Sequence, residues 1–210
     1  FLPIIGGLGI LLLIIGGISM NKGSKTTSDA EIDQYISEAL SSVARRALAK
    51  SSIDESELVG DPIVVTGPRL WNTGGADLLF KKGLDNVLRF TPINVTVLLM
   101  TQHQIISFQC SFDLLTGNCL NESTDEYFYK DVVSVATKTI SLTYSTEKFG
   151  TLQLNAAETF VLTTSGGTSV EIFLKDPKLI ELMGGGNIPT TAAEKAIQVV
   201  RKMLREKKQA

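Results

Sequence analysis

One histidine, two cysteines and a loose run of acids are the residues of this chain whose types could support catalysis or metal binding. His103 lies between Gln102 and Gln104, in a stretch predicted as a hairpin turn, so it is the single possible centre of a Ser-His-Asp or Cys-His arrangement. Cys110 and Cys119 lack the short C-x-x-C spacing of a zinc site, and one histidine cannot complete a usual ligand set with them. Glu122, Asp125, Glu126 and Asp131 could attract calcium, but the twelve-residue loop pattern is missing and the run reads as a solvated strand edge. No catalytic residue, cofactor or metal site is therefore expected, and the chain reads as a non-enzyme.

The basic side chains suggest binding instead. Lys81, Lys82 and Arg89 form the best cationic cluster outside the C-terminus, a candidate contact for phospholipid headgroups that Asp77 and Asp85 dilute. Arg201, Lys202, Arg205, Lys207 and Lys208 crowd the end of the chain, where they complement a helix dipole and could meet anionic lipid or an acidic partner. The overall balance of 20 basic against 22 acidic residues, net charge −2, excludes a polycation for nucleic acid. With 43% hydrophobic residues the chain is not a disordered polyampholyte either.

A mean hydropathy of +0.17 is high for a chain with 20% charged residues, and its source is local. Phe1 to Ser19 (FLPIIGGLGILLLIIGGIS) carries no charge and would reach roughly 28 Å as a helix, close to bilayer hydrocarbon thickness. Residues 1–19 are read as a transmembrane helix. Lys22 and Lys25 follow it, so the positive-inside rule places the C-terminal body in the cytoplasm, single-pass in these residues. Gly6, Gly9 and Gly16 fall near one face and suit close packing with another membrane helix.

Residues 20–60 are read as a juxtamembrane linker and an amphipathic helix, opened by a capping box of Ser28 and Glu31. Ile32, Tyr35, Ile36, Ala39, Leu40, Val43, Ala47 and Leu48 recur at helical spacing, for packing on the protein's own domain or on a partner beside the membrane. Residues 51–86 hold Pro and Gly punctuation and read as loops with a strand or two. Period-two alternation then marks short antiparallel strands around Val95–Leu99, Ile106–Phe112, Ile140–Tyr144, Phe160–Leu162 and Val170–Leu174, each with one wet face. A hairpin loop at Leu114–Gly117 sets Asp113 opposite Asn118 and Cys110 opposite Asn121, which offsets the thiols and argues against a disulfide. Asp131 is placed to accept backbone N–H groups of the Val132–Ser134 corner. A short helix is expected over Pro177–Met183, ended by Gly184–Gly186, and a C-terminal helix over residues 189–210 after a capping box of Thr191 and Glu194.

Many strands followed by one amphipathic helix is the order of a pleckstrin-homology (PH) barrel. The stretch Val87–Thr137 resembles bacterial PH-like domains fused to membrane helices, through Thr101–Ile105, Phe112–Gly117 (FDLLTG) and Tyr129–Val135 (YKDVVSV). The similarity covers roughly Leu84–Leu204 and carries no lipid-binding motif residue by residue. It implies an N-terminal transmembrane helix plus an α+β body, with an antiparallel PH-like β-barrel over residues 61–188 closed by the C-terminal helix. The function expected is a scaffold or protein-interaction module in a membrane complex, with the bilayer and membrane-protein partners or a second copy of the chain as contacts. Headgroup binding is the alternative. A pilin-like filament subunit is a further one, resembling type IV pilins in a Phe start and apolar run but departing from them at Ile5, where that family has Glu.

Overall fold

The computed structural model describes residues 27–69, 78–146, 150–167, 169–187 and 193–208. The expected span at 1–19, with Gly6, Gly9 and Gly16, lies outside these, as does Thr191. Among the described residues no helix is long and apolar enough to cross a membrane.

Helix α1 (Asp29–Ser51) begins where its capping box predicts: the Ser28 side chain accepts from the Glu31 N–H, and the Glu31 carboxylate accepts from the Ser28 N–H at 2.8 Å. Strands follow as β1 (Ile63–Pro68), β2 (Leu79–Lys82), β3 (Leu88–Thr91), β4 (Ile93–Met100), β5 (Gln104–Asp113), β6 (Asn118–Phe128), β7 (Val132–Thr146), β8 (Gly150–Thr164) and β9 (Ser169–Lys175). Helices α2 (Pro177–Leu182) and α3 (Ala193–Lys208) complete the described chain. All strand pairs are antiparallel, in a four-stranded sheet of order β1-β4-β5-β6, a three-stranded sheet β7-β8-β9 and a separate β2-β3 hairpin.

The two larger sheets curl toward each other, with β9 against β1, an arrangement compatible with a barrel-like fold. Between them Val65, Leu98, Ile105, Phe160, Leu162 and Ile172 form one buried cluster, which Ile197, Val200 and Leu204 of α3 join. Part of the inner face is polar. Thr96 and Gln109 pair across β4 and β5, and with Ser107 and Ser111 they present buried polar atoms that have no hydrogen-bond partner among the described residues.

The outer face of the first sheet departs from expectation. β4 and β5 were expected to keep one wet face, yet nearly every residue in both is buried. The cause is α1, whose Val43 and Ala47 pack on Val95, Val97, Leu99, Ile106, Phe108 and Phe112. The apolar stripe of α1 is thus used within the protein. Sequence periodicity also understated the second sheet, because β7 and β8 are long strands of 15 residues each. Their extension beyond the inner cluster is covered by the β2-β3 hairpin and α2, through Leu88, Leu152, Leu154, Leu179 and Met183.

At the β6-β7 corner, Tyr129–Asp131 forms a single 3-10 turn. There the carbonyl oxygen of Asp131 accepts the Ser165 N–H, and the Val132 N–H goes to the Tyr129 carbonyl. The expected carboxylate cap by Asp131 is not formed, because a backbone turn already serves that corner. The short α2 ends one residue before its expected limit, and Gly184, Gly185 and Gly186 after it all take positive φ.

Phe108, fully buried under α1, and Phe128, 45% exposed, give opposite expectations. Phe108→Ala should cost about 3–5 kcal/mol in urea unfolding, whereas Phe128→Ala should stay within about 0.5 kcal/mol of wild type.

Candidate functional site

Two ends of β4 carry the polar chemistry. Beyond its N-terminal end, the turn between β2 and β3 captures the first turn of α1. Asp29 accepts the backbone N–H groups of Leu84 at 2.7 Å and Asp85 at 3.2 Å. Arg89 of β3 then grips Asp33 with two bonds of 2.7 Å, and donates to Asp85 at 3.1 and 2.7 Å. Only 8% of the Arg89 side chain is exposed. Gly83 leaves room for this cluster: a Cβ there would sit 2.5 Å from both Arg89 Nη1 and Asp85 Oδ1.

Electrostatics follow the geometry. Arg89 is held more firmly protonated by its bonds to Asp85 and then Asp33. The Asp85 carboxyl is lowered to about 2, chiefly by the Arg89 hydrogen bonds and secondly by the Val87 N–H. Of the expected headgroup trio, Arg89 is therefore committed to carboxylates and Lys82 donates to the Gly184 carbonyl at 2.9 Å, while Lys81 is exposed. The sequence offered one clue to the cluster, since Asp29 and Asp33 stand four apart on one helical face.

Beyond the C-terminal end of β4, the Thr101–Gln104 turn, the Tyr129–Asp131 turn and α3 converge. Thr101 Oγ1 accepts the N–H groups of His103 and Gln104, and the Tyr129 hydroxyl donates to the Thr101 carbonyl at 3.0 Å. His103 is an exposed turn residue whose carbonyl takes the Tyr129 N–H. Beside it Phe128 and Val133 are 45% and 60% exposed, and the Lys130 ammonium lies 5.8 Å from the Phe128 ring centre. Helix α3 packs against the same turn, and Lys207 donates to the Gln102 side chain. Arg201, Lys202 and Arg205 are exposed along α3, with Lys202 3.8 Å from Glu206, and Lys208 is the last residue of the helix. Phe128 and Val133, which the sequence did not single out, flank in the chain the Tyr129–Asp131 turn on which α3 packs.

The third feature lies under α1. The hairpin register is as expected, with Asp113 opposite Asn118, but a bulge between Gln109 and Ser111 leaves Cys110 facing two residues, Asn121 and Glu122. Cys110 and Cys119 are both free, and as diagonal neighbours on adjacent strands each thiol shifts the ionisation of the other. Cys119 lines a cavity of about 180 Å³ with Ser42, Val43, Arg46, Phe112, Gly117 and Asn118. Glu122 receives Arg46 and, at 3.2 Å, Lys50. Among the described residues no group of three or more His, Cys, Asp or Glu is placed to hold a metal ion.

No protein-family model matches the chain, and neither a curated protein nor a solved structure does.

The lowered Asp85 carboxyl sets an acid limb. Its contribution to stability is complete above its ordinary value near 3.8 and is lost as pH falls through about 2. Replacing Arg89 by Met should cost about 1–3 kcal/mol, less than for a fully buried pair because Asp33 and Asp85 are partly wet. It should also flatten the loss of stability between pH 4 and 2, followed by thermal unfolding across pH, and Gly83→Ala should do the same in weaker form.

Proposed function

We propose that this chain is a single-span membrane protein whose PH-like body serves as a protein-interaction or scaffold module in a membrane complex, with no catalytic role. The observation that supports this best is the use of α1. It starts at Asp29, ten residues after the end of the apolar run, and is fastened there to the β2-β3 turn by Asp29 and Arg89. Its apolar stripe is then spent on the sheet rather than left for a partner. An anchor at residues 1–19 would join, through the juxtamembrane linker, a body whose first helix is fixed to its sheet, as suits a subunit of an assembly.

The PH-like reading draws on topology. Leaving aside the β2-β3 hairpin, four antiparallel strands are followed by three, and a closing helix packs into the cluster between them. The surface best suited to a partner is the corner of Phe128, Lys130 and Val133 with the exposed cations of α3. It combines apolar area with positive charge and would favour an acidic partner carrying an apolar anchor. Headgroup recognition through Lys81 and Lys82 would have to proceed without Arg89, whose donors are taken.

The test uses the full chain. It should stay in the membrane pellet through carbonate extraction, deletion of residues 1–19 should release it, and mild detergent should extract it with a bound partner. A Phe128→Ala, Val133→Asp double variant should weaken that association about tenfold or more, with an unchanged melting temperature. Elution of the wild-type chain alone as a monomer would overturn the reading.

A further inference from the structure

Cys110 and Cys119 stand on adjacent antiparallel strands, on the face covered by α1, and both belong to the cluster that α1 packs on. Cys119 pairs with Phe112, so Cys110 is its diagonal neighbour across the ladder. Diagonal Cα atoms in a regular pair lie about 7–8 Å apart, at the limit of disulfide reach. Here the ladder is not regular. The bulge opposite Cys110 adds a residue to β6, and Asn121 within it takes φ 53°, so the strand has slack where the two thiols meet. Each thiol shifts the other's ionisation, Cys110 upward and Cys119 downward.

The two sulfurs differ in environment. Cys110 is 1% exposed, while Cys119 is partly exposed and opens on the 180 Å³ cavity shared with Arg46. We propose that these residues form a redox pair, in which a hydroperoxide oxidises Cys119 first and Cys110 then closes the disulfide. Ionisation follows the same order. The Cys119 thiol is lowered by its interaction with Cys110, against burial and the Glu122 carboxylate, which together outweigh the help from Arg46, and Cys110 is raised by the same interaction and by burial. Cys119 is thus the more acidic and the more accessible of the two thiols, as the first sulfur to react should be.

The chemistry balances with the peroxide as sole oxidant. The Cys119 thiolate attacks one peroxide oxygen, the O–O bond breaks, and the leaving alkoxide takes a proton to become an alcohol, or water from hydrogen peroxide. Cys119 is now a sulfenic acid, oxidised by two electrons. Cys110 loses its proton as its sulfur attacks that of Cys119, the S–O bond breaks and water leaves. Two thiols and one hydroperoxide give one disulfide, one alcohol and one water. The new bond would lie within the cluster that includes Val43 and Ala47 of α1, so its formation loads the surface on which α1 rests.

The experiment treats the reduced full-length chain in detergent with hydrogen peroxide, with and without dimedone, and maps products by mass spectrometry. Wild type should become a monomer lighter by two hydrogens, with Cys110 and Cys119 linked. Cys110→Ser, which keeps the side-chain size, and Cys110→Ala should both carry the dimedone adduct on Cys119. Cys119→Ser should leave Cys110 a free thiol that reacts about tenfold more slowly or less. Labelling that falls first on Cys110, intermolecular disulfides in place of the internal one, or a Cys119 sulfenic acid that persists in wild type would each overturn the proposal.

Discussion

The packing of α1 on the outer face of β4 and β5 is the contact on which the rest of the arrangement depends. A curled sheet with one face on an inner core would ordinarily turn its other face to water, with polar residues at alternate positions. Here that face carries Val95, Val97, Leu99, Ile106, Phe108 and Phe112, which only a covering layer can keep dry. Helix α1 is that layer. The first sheet is therefore the middle of a three-layer stack, with α1 on one side and the inner cluster on the other.

That contact explains the polar devices around it. A helix held by an apolar stripe alone could slide or rotate, since hydrophobic packing has little directionality. Arg89 fixes one end of α1 by bonding Asp33 in the bidentate geometry that guanidinium and carboxylate share, and Asp29 accepts two backbone donors of the turn. Farther along, Arg46 and Lys50 meet Glu122 on β6. The two thiols lie between these polar fixings, where the bulge interrupts the ladder that the helix covers. A chemical change there is well placed to be felt by α1.

Much of the local structure was legible in the sequence. The Ser28 capping box, the Leu114–Gly117 hairpin with its positive-φ glycine, the His103 turn and the α2 stop at Gly184 are set by interactions within a few residues. The strands at Val95–Leu99, Ile106–Phe112 and Val170–Leu174 showed because alternation survives whenever one face is more apolar than the other. The β2-β3 hairpin was hidden because Leu79–Lys82 is mostly exposed and Leu88–Thr91 is buried throughout, so neither strand alternates. Strand β6 showed as a solvated strand edge, because its acids face solvent except where Glu122 meets α1.

The role of Arg89 illustrates the remaining limit. Its neighbours in sequence suggested a cationic patch, yet its partners Asp29 and Asp33 lie on a helix separated from it by the whole first strand. By itself the sequence determined the start of α1 at Ser28, the hairpin and turn positions and the strands that alternate, because each depends on contacts within about one turn or one hairpin. Only the tertiary structure decided what covers the outer sheet face, which charges neutralise one another and that two offset cysteines are diagonal neighbours in the cluster under α1. Those outcomes depend on which surfaces meet after long loops close, and a one-residue bulge is enough to change them.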